Sequence, residues 1–206
     1  MANFTLSRGL KNIKFAEVTK DDSTAYTVGE PKQLIPAGNL SISVESSTND
    51  TYFDNAMFYR AGQEGNSTVT IDGAMLRPDL VAEITGKTVD ATTGVVLDDG
   101  KYHEKYFAVG GEIGLVDGTK LNVWFLKGTF SYPQEQAKTE DASTDTNGMS
   151  LTFNAVRTIF EFAGKGSCKR VIMDTGVSEM NESKDFFEQV VTPADVGTLV
   201  KKKASK

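Results

Sequence analysis

Gly86-Lys87-Thr88 resembles the end of a P-loop, where a glycine-rich turn cradles phosphate oxygens and a lysine neutralises them. That loop also needs a glycine five positions before Gly86, and the chain has Val81 there. It must follow a strand and open a helix, whereas this tripeptide closes the apolar pattern of 77–84. Nucleotide binding is not expected. Adjacent carboxylates stand at Asp21-Asp22, Asp98-Asp99 and Glu140-Asp141. Glycoside hydrolysis needs two carboxylates across a cleft, one with a raised pKa. These pairs fall in turn-forming stretches, where acids are expected to be solvated. His103 has general-base chemistry, but no nucleophile lies at a readable spacing from it, and its Tyr102/Tyr106 surroundings suit a surface or packing role. Cys168 beside Lys169 is a weak thiolate candidate. One cysteine and one histidine are too few for a structural zinc site. No catalytic residue, cofactor or metal is expected, and the chain reads as a non-enzyme.

Tyr52, Phe53, Phe58 and Tyr59 carry a different kind of chemistry. They sit within Ser46–Gly65, a polar stretch of 20 residues between two strand patterns, which suits a functional loop or an extended hairpin. Aromatic side chains there can anchor a protein interface, stack on a sugar, or fold back on their own domain. We take them as candidate interface residues.

The elements that must position these residues follow from patterning. Leu10–Val18, Tyr26–Val28, Leu40/Ile42/Val44, Val69/Ile71, Leu151/Phe153/Ala155 and Val171–Met173 read as strands, most of them alternating with polar neighbours. Ile159–Phe162 reads as a continuation of the Leu151 strand. Phe107–Val116 and Leu121–Phe130 form a hairpin through Asp117-Gly118. Leu121, Val123 and Phe125 alternate with Trp124 and Leu126, so this strand is expected to be covered on both faces. Pro78 suits the first turn of a short helix over 77–84, and Gly86 suits its left-handed cap. Thr88–Lys101 reads as an exposed hairpin, and Asn181–Val190 as a second helix packed through Phe186 and Phe187. The sum is a mainly β chain, a β-sandwich or barrel-like fold with one or two short flanking α-helices. No internal repeat or domain boundary is visible, so 1–206 reads as a single domain with long loops at 46–65 and 133–147.

Composition bounds the function. With 206 residues, 39% apolar and 24% charged, the chain can bury one core. No apolar run exceeds four residues, so no membrane anchor is expected, and Met1–Gly9 lacks the apolar stretch of a secretory signal. A single cysteine suits a reducing cytoplasm. Net charge is −6, and becomes −10 once the four lysines of 201–206 are set aside. So acidic a body repels polyphosphate rather than gripping it. The basic end, 191–206, reads as a flexible tail.

In order and spacing, four stretches resemble the major tail tube proteins of long, non-contractile-tailed phages and prophages of Gram-positive bacteria. They are the Gly9-Leu10-Lys11-Asn12-Ile13-Lys14-Phe15-Ala16 strand and Tyr52-Phe53-Asp54-Asn55 to Gly65, leading into Val69/Ile71. Arg77-Pro78-Asp79-Leu80, a helix ending near Gly86, follows, and then Lys127-Gly128-Thr129-Phe130-Ser131-Tyr132-Pro133 before an acidic loop. The resemblance spans roughly 9–157 and does not extend clearly past Phe162. It implies a structural virion subunit forming hexameric rings that stack into a tube. Its partners are then further copies of itself, a tape-measure protein inside, tail terminator and distal tail proteins at the ends, and DNA passing through without tight binding. Assembly follows synthesis in the host bacterial cytoplasm. Type VI secretion tubes and contractile-tail tubes share the architecture. Glu112, Asp117 and Glu135, on or beside the central hairpin, are the candidate acids facing the lumen. Two alternatives stay open: a monomeric carbohydrate-binding or adhesion module, and the tube subunit of a phage-derived bacteriocin or secretion device.

Overall fold

The computed structural model describes residues 4–101, 103–134, 148–180 and 185–203. The first strands are β1 (Ser7–Asp21), β2 (Tyr26–Val28), β3 (Lys32–Gln33), β4 (Ala37–Phe53) and β5 (Ala56–Gly73), followed by helix α1 (Pro78–Thr85). Next come β6 (Thr88–Val89), β7 (Val96–Leu97), β8 (Phe107–Leu115), β9 (Lys120–Phe130) and β10 (Met149–Val156). The chain ends through β11 (Arg170–Asp174), β12 (Ser178–Met180), a 3-10 turn at Pro193–Asp195 and β13 (Val200–Lys202). One antiparallel sheet runs β2-β1-β8-β9-β10-β5-β4, with β3 added to β1 and β11 to β9. It curls so that β4 comes back over β1, giving a mainly β, sandwich-like body with one α-helix among the described residues.

The β8–β9 hairpin is the pivot. β8 lies along one edge of β9, while β11 and then β10 share the other. Val123 and Phe125 point into a core with Ile13, Phe15, Val69, Ile71, Leu151 and Phe153, closed by Val81 and Ile84 of α1. Trp124 and Leu126 point into a second core, roofed by Phe162, Phe186, Phe187, Val190 and Val191. The expectation of a strand covered on both faces holds. At the turn only Gly118 takes the left-handed conformation (φ 83°), and its N–H donates to the Leu115 carbonyl at 3.1 Å. α1 starts at Pro78 and ends on Gly86 (φ 74°), as its sequence predicts.

Past β10 the sequence reading needs three corrections. Ile159 is exposed, Ile159 and Phe160 form a bend and Phe162 makes only an isolated bridge to Gly166, because the Ile159 and Phe160 N–H groups turn to the Asp21 carboxylate instead of a neighbouring strand. The helix expected over Asn181–Val190 is absent from its described part, 185–190, which forms turns. Phe186 and Phe187 are nevertheless buried: the Trp124 indole N–H donates to the Phe186 carbonyl at 3.1 Å, and the Lys14 ammonium to that of Phe187 at 3.0 Å. The Phe186 carbonyl, which a helix over 181–190 would give to the Val190 N–H, is taken by Trp124 instead, and Lys14 holds the next carbonyl beside it. The expected flexible tail from 191 is instead folded through 203, since β12–β13 pairing brings Val200 into the second core.

Asp21 was expected to be a solvated turn acid. Its side chain is 3% exposed and lies 2.7 Å from the Lys127 ammonium, whose side chain is itself 7% exposed. Burial alone pushes the Asp21 carboxyl up, yet the Ile159 N–H, Lys127 and the Phe160 N–H hold it below its ordinary value. A depressed folded-state pKa contributes stability that is complete above the unfolded value of about 4 and lost as pH falls through the folded one. Asp21→Asn, leaving Lys127 buried without its anion, is expected to cost about 3 kcal/mol at neutral pH. The deficit should narrow near pH ~3, where the wild type begins to lose the same contribution. Urea melts at both pH values test this, and a deficit independent of pH counts against it. In the hairpin, a Cβ on Gly110 comes 2.7 Å from the Trp124 ring, whereas one on the exposed Gly62 meets nothing within 4 Å. Gly110→Ala should therefore destabilise by roughly 2 kcal/mol. Gly62→Ala should be neutral or slightly stabilising, with the single tryptophan reporting both unfolding curves.

Candidate functional site

The Ser46–Gly65 stretch is an extended hairpin rather than a loop. Among the described residues β4 and β5 pair without a third strand beyond Ser67, whose partner Ala155 is the last that β10 offers to β5. From Ser43 to Asn66 every residue but Asp50 is exposed. Eight residues from Ser46 to Phe53, at ~3.3 Å each, carry the tip on the order of 25 Å beyond the sheet. The turn is two residues, Asp54 (φ 50°) and Asn55 (φ 60°), both left-handed, the type I′ geometry that matches strand twist. Asp-Asn between two aromatic pairs was the sequence signal for it. Asp and Asn tolerate this region better than other non-glycine residues.

All four candidate aromatics gather at this tip, between 59% and 76% exposed, with Met57 at 54% beside them. The reading in which they fold back onto their own body is not what the chain adopts. Between Thr51↔Tyr59 and Tyr52↔Met57 the register skips Phe58, and this bulge sets Phe58 edge-on to Phe53, ring centroids 5.2 Å apart at 82°. Behind the tip, Arg60 grips Asp50 through two hydrogen bonds of 2.6 and 2.9 Å, and this holds the Asp50 carboxyl below its usual range. Glu45, Asp50, Asp54 and Glu64 against Arg60 give the arm a net charge of −3. It is an acidic ribbon with an apolar end.

At its base, Lys169 reaches across from the segment before β11. Its ammonium lies 2.6 Å from Glu64 Oε1 and 3.0 Å from the Gly65 carbonyl, and Lys169 is 8% exposed. The Lys169 hydrogen bond, with the nearby Arg170 and Arg157 charges, holds the Glu64 carboxyl below its ordinary value. Sequence reading considered Lys169 only as a neighbour of Cys168. Lys169 stands 105 residues from Glu64, so no local spacing could have joined them.

The three candidate lumen acids are not alike. Glu112 is 8% exposed, held 3.0 Å from Lys120 and accepting from Asn12 Nδ2 at 3.1 Å. Asn12 is left-handed (φ 53°) at an irregularity in β1. Both line an open cleft of about 410 Å³ with Asn122, whose buried Oδ1 has no hydrogen-bond partner among the described residues. Asp117 is exposed at its turn, its carboxylate accepting from the Thr119 hydroxyl and N–H, which hold its pKa down. Glu135 and the Glu140-Asp141 pair lie outside the described residues.

The remaining candidates are dispersed. Lys87 follows the C-terminal cap of α1 and pairs with Asp98 at 2.6 Å. His103 lies 3.0 Å from Asp99. The Cys168 thiol donates to the Arg170 carbonyl at 3.1 Å. Among the described residues no three His, Cys, Asp or Glu side chains meet as a metal site, and no helix is long and apolar enough to cross a membrane. Comparison of the chain with protein-family models and with curated protein sequences gave no match.

Because the tip aromatics touch little of their own body, Tyr59→Ala and Phe58→Ala should each leave the monomer's unfolding free energy within about 0.5 kcal/mol of wild type. Urea denaturation at low protein concentration checks this. A larger loss would mean that the tip is packed against the body in solution.

Proposed function

We propose that this chain is a structural, non-enzymatic subunit of a tube built from stacked, hexameric rings, of the kind that forms the tail of long-tailed phages or a particle derived from one. The observation that carries the reading is the arm. A two-stranded ribbon with no hydrophobic face covered is marginal in water by itself, and its aromatic end is surface that a monomer gains nothing by displaying. A second copy supplies the missing cover. Contacts of one patch with a different patch on an identical neighbour close into rings or continue as filaments, and an arm crossing to a neighbour is a contact of that type. β4, whose outer edge pairs with no strand among the described residues, adds a second surface open to extension.

In such a tube the chain encloses a tape-measure protein, meets terminator and distal proteins at the ends, and later lets DNA pass. A net-acidic subunit suits that last task, since phosphates slide past like charge instead of binding it. Asp117 fits a lumen role better than Glu112, whose charge Lys120 already matches. A carbohydrate-binding reading draws on the same aromatics, but sugar stacking uses flat ring faces, and Phe53 and Phe58 meet edge-to-face.

Negative-stain electron microscopy of the full chain across a concentration series tests the proposal. Rings or tubes with a central hole are the expected result, and Tyr52→Ala or Tyr59→Ala should raise the concentration needed by at least tenfold without unfolding the chain. Monomers at every concentration and salt, even with preformed tube ends added as seeds, would overturn it. A glycan-dependent rise in melting temperature in such monomers would favour the sugar-binding module.

A further inference from the structure

The arm does not leave the body as a simple continuation of the sheet. Pairing runs from Ala37↔Gly73 to Val44↔Ser67, then resumes at Ser46↔Glu64, so one residue of β4, Glu45, faces two of β5, Gly65 and Asn66. A bulge of this type bends the strand and raises its twist. It sits where the last β10 partner, Ala155, pairs with Ser67, at the boundary between supported sheet and free ribbon. Gly65 fits the crowding there: a Cβ on it would lie 3.1 Å from Glu45 Cβ and 3.2 Å from its carboxylate. A bent, unsupported ribbon is free to swing about such a point unless something holds it.

Lys169 holds it. Its backbone carbonyl accepts from the Leu126 N–H at 3.0 Å, so the residue is fixed to the two-sided strand β9. Its buried side chain ends on Glu64, the first paired residue on the arm side, and on the carbonyl of Gly65 within the bend itself. A single tether at Glu64 would allow rotation about one contact. Two acceptors on successive residues, one of them backbone, fix the direction of the chain as well as its position.

The geometry points to Lys169 as the positioning residue that locks the angle between arm and body, so that the aromatic tip is presented in one direction to a second copy of this chain. The presentation part rests on the tube reading above, whereas the locking itself does not. If that reading holds, a subunit with an unlocked arm pays an orientational cost at each contact, and ring formation needs a higher concentration.

The test measures arm direction in the full-length monomer. Spin labels at Asp54→Cys on the tip and Glu17→Cys on β1, in a Cys168→Ser background, report the distance distribution by double electron–electron resonance. The wild-type distribution should be narrow. Lys169→Met keeps the buried stem and removes the ammonium, and should broaden the distribution at least twofold. Lys169→Arg, which retains two donors, should narrow it again. Glu64→Gln, at an exposed position that does not threaten folding, should broaden it partly. Unchanged widths in Lys169→Met and in Glu64→Gln, with an intact melting curve, would overturn the lock, and if Lys169→Met does not fold, the Glu64→Gln width alone decides. Electron microscopy of the same variants reads the consequence separately. A broadened arm with wild-type assembly defeats the presentation role and leaves the lock, while absence of assembly in the wild type defeats the tube reading and leaves the distance result standing.

Discussion

Strand β9 must bury both faces and both edges at once. Most of the structure follows from that. Val123 and Phe125 serve one core, Trp124 and Leu126 the other, and neighbours fill each edge, so almost no position along the strand is free to be polar. The two polar residues it does carry inside show the cost. Lys127 needs an anion, and Asp21 is brought to it from the far end of β1. Asn122 lines the open cleft beside Glu112 and Lys120. Asp21 then has spare lone pairs, which take the N–H groups of Ile159 and Phe160 and turn the chain away from the sheet. The return path of the C-terminal segment over the Trp124 face starts from that ion pair.

The arm obeys the opposite rule. β4 and β5 share a core end, where Val69 and Ile71 are fully buried, and reach out as a ribbon whose residues are almost all exposed. The composition changes at the same residue. Alternation of Leu40, Ile42 and Val44 gives way to Ser46, Ser47, Thr48 and Asn49, side chains that tolerate water on both faces, before the aromatics return at the tip. A sequence that only needed a turn would have closed the hairpin near Val44. The additional chain spends conformational entropy on ordering a segment that gains little inside the monomer. Contacts beyond the monomer are the natural compensation for that expense.

What the sequence disclosed, and what it hid, divides by range. Local rules read β8 and β9, the Pro78 start and Gly86 end of α1, and the hairpin character of 88–101, because each depends on residues a few positions apart. The aromatic cluster was legible as a group of residues, whereas 46–65 could be read as either a loop or an extended hairpin, since it lacks the apolar alternation by which strands are recognised. The failures were long-range. Asn181–Val190 has the look of a helix until Trp124 and Lys14, some sixty and one hundred and seventy residues away, claim its carbonyls. Asp21 and Lys169 looked like ordinary surface charges because their partners stand 106 and 105 residues off.

These long-range charges share a pattern that bears on what the fold is for. Asp21–Lys127 and Lys169–Glu64 both tie an element to the buried hairpin or its edge, and both stand where the chain leaves the sheet. Hydrophobic burial can hold a layer against a layer, but it has no direction and does not fix the angle at which a strand departs. A charged hydrogen bond has direction and a narrow distance range. Placing such pairs at the exits assigns apolar contacts to holding the body together and ionic ones to aiming its extensions. Exact aim has little value to a protein that acts alone through its core. It matters when one copy must reach a defined patch on the next, since any spread in angle is then repeated at every contact of the assembly.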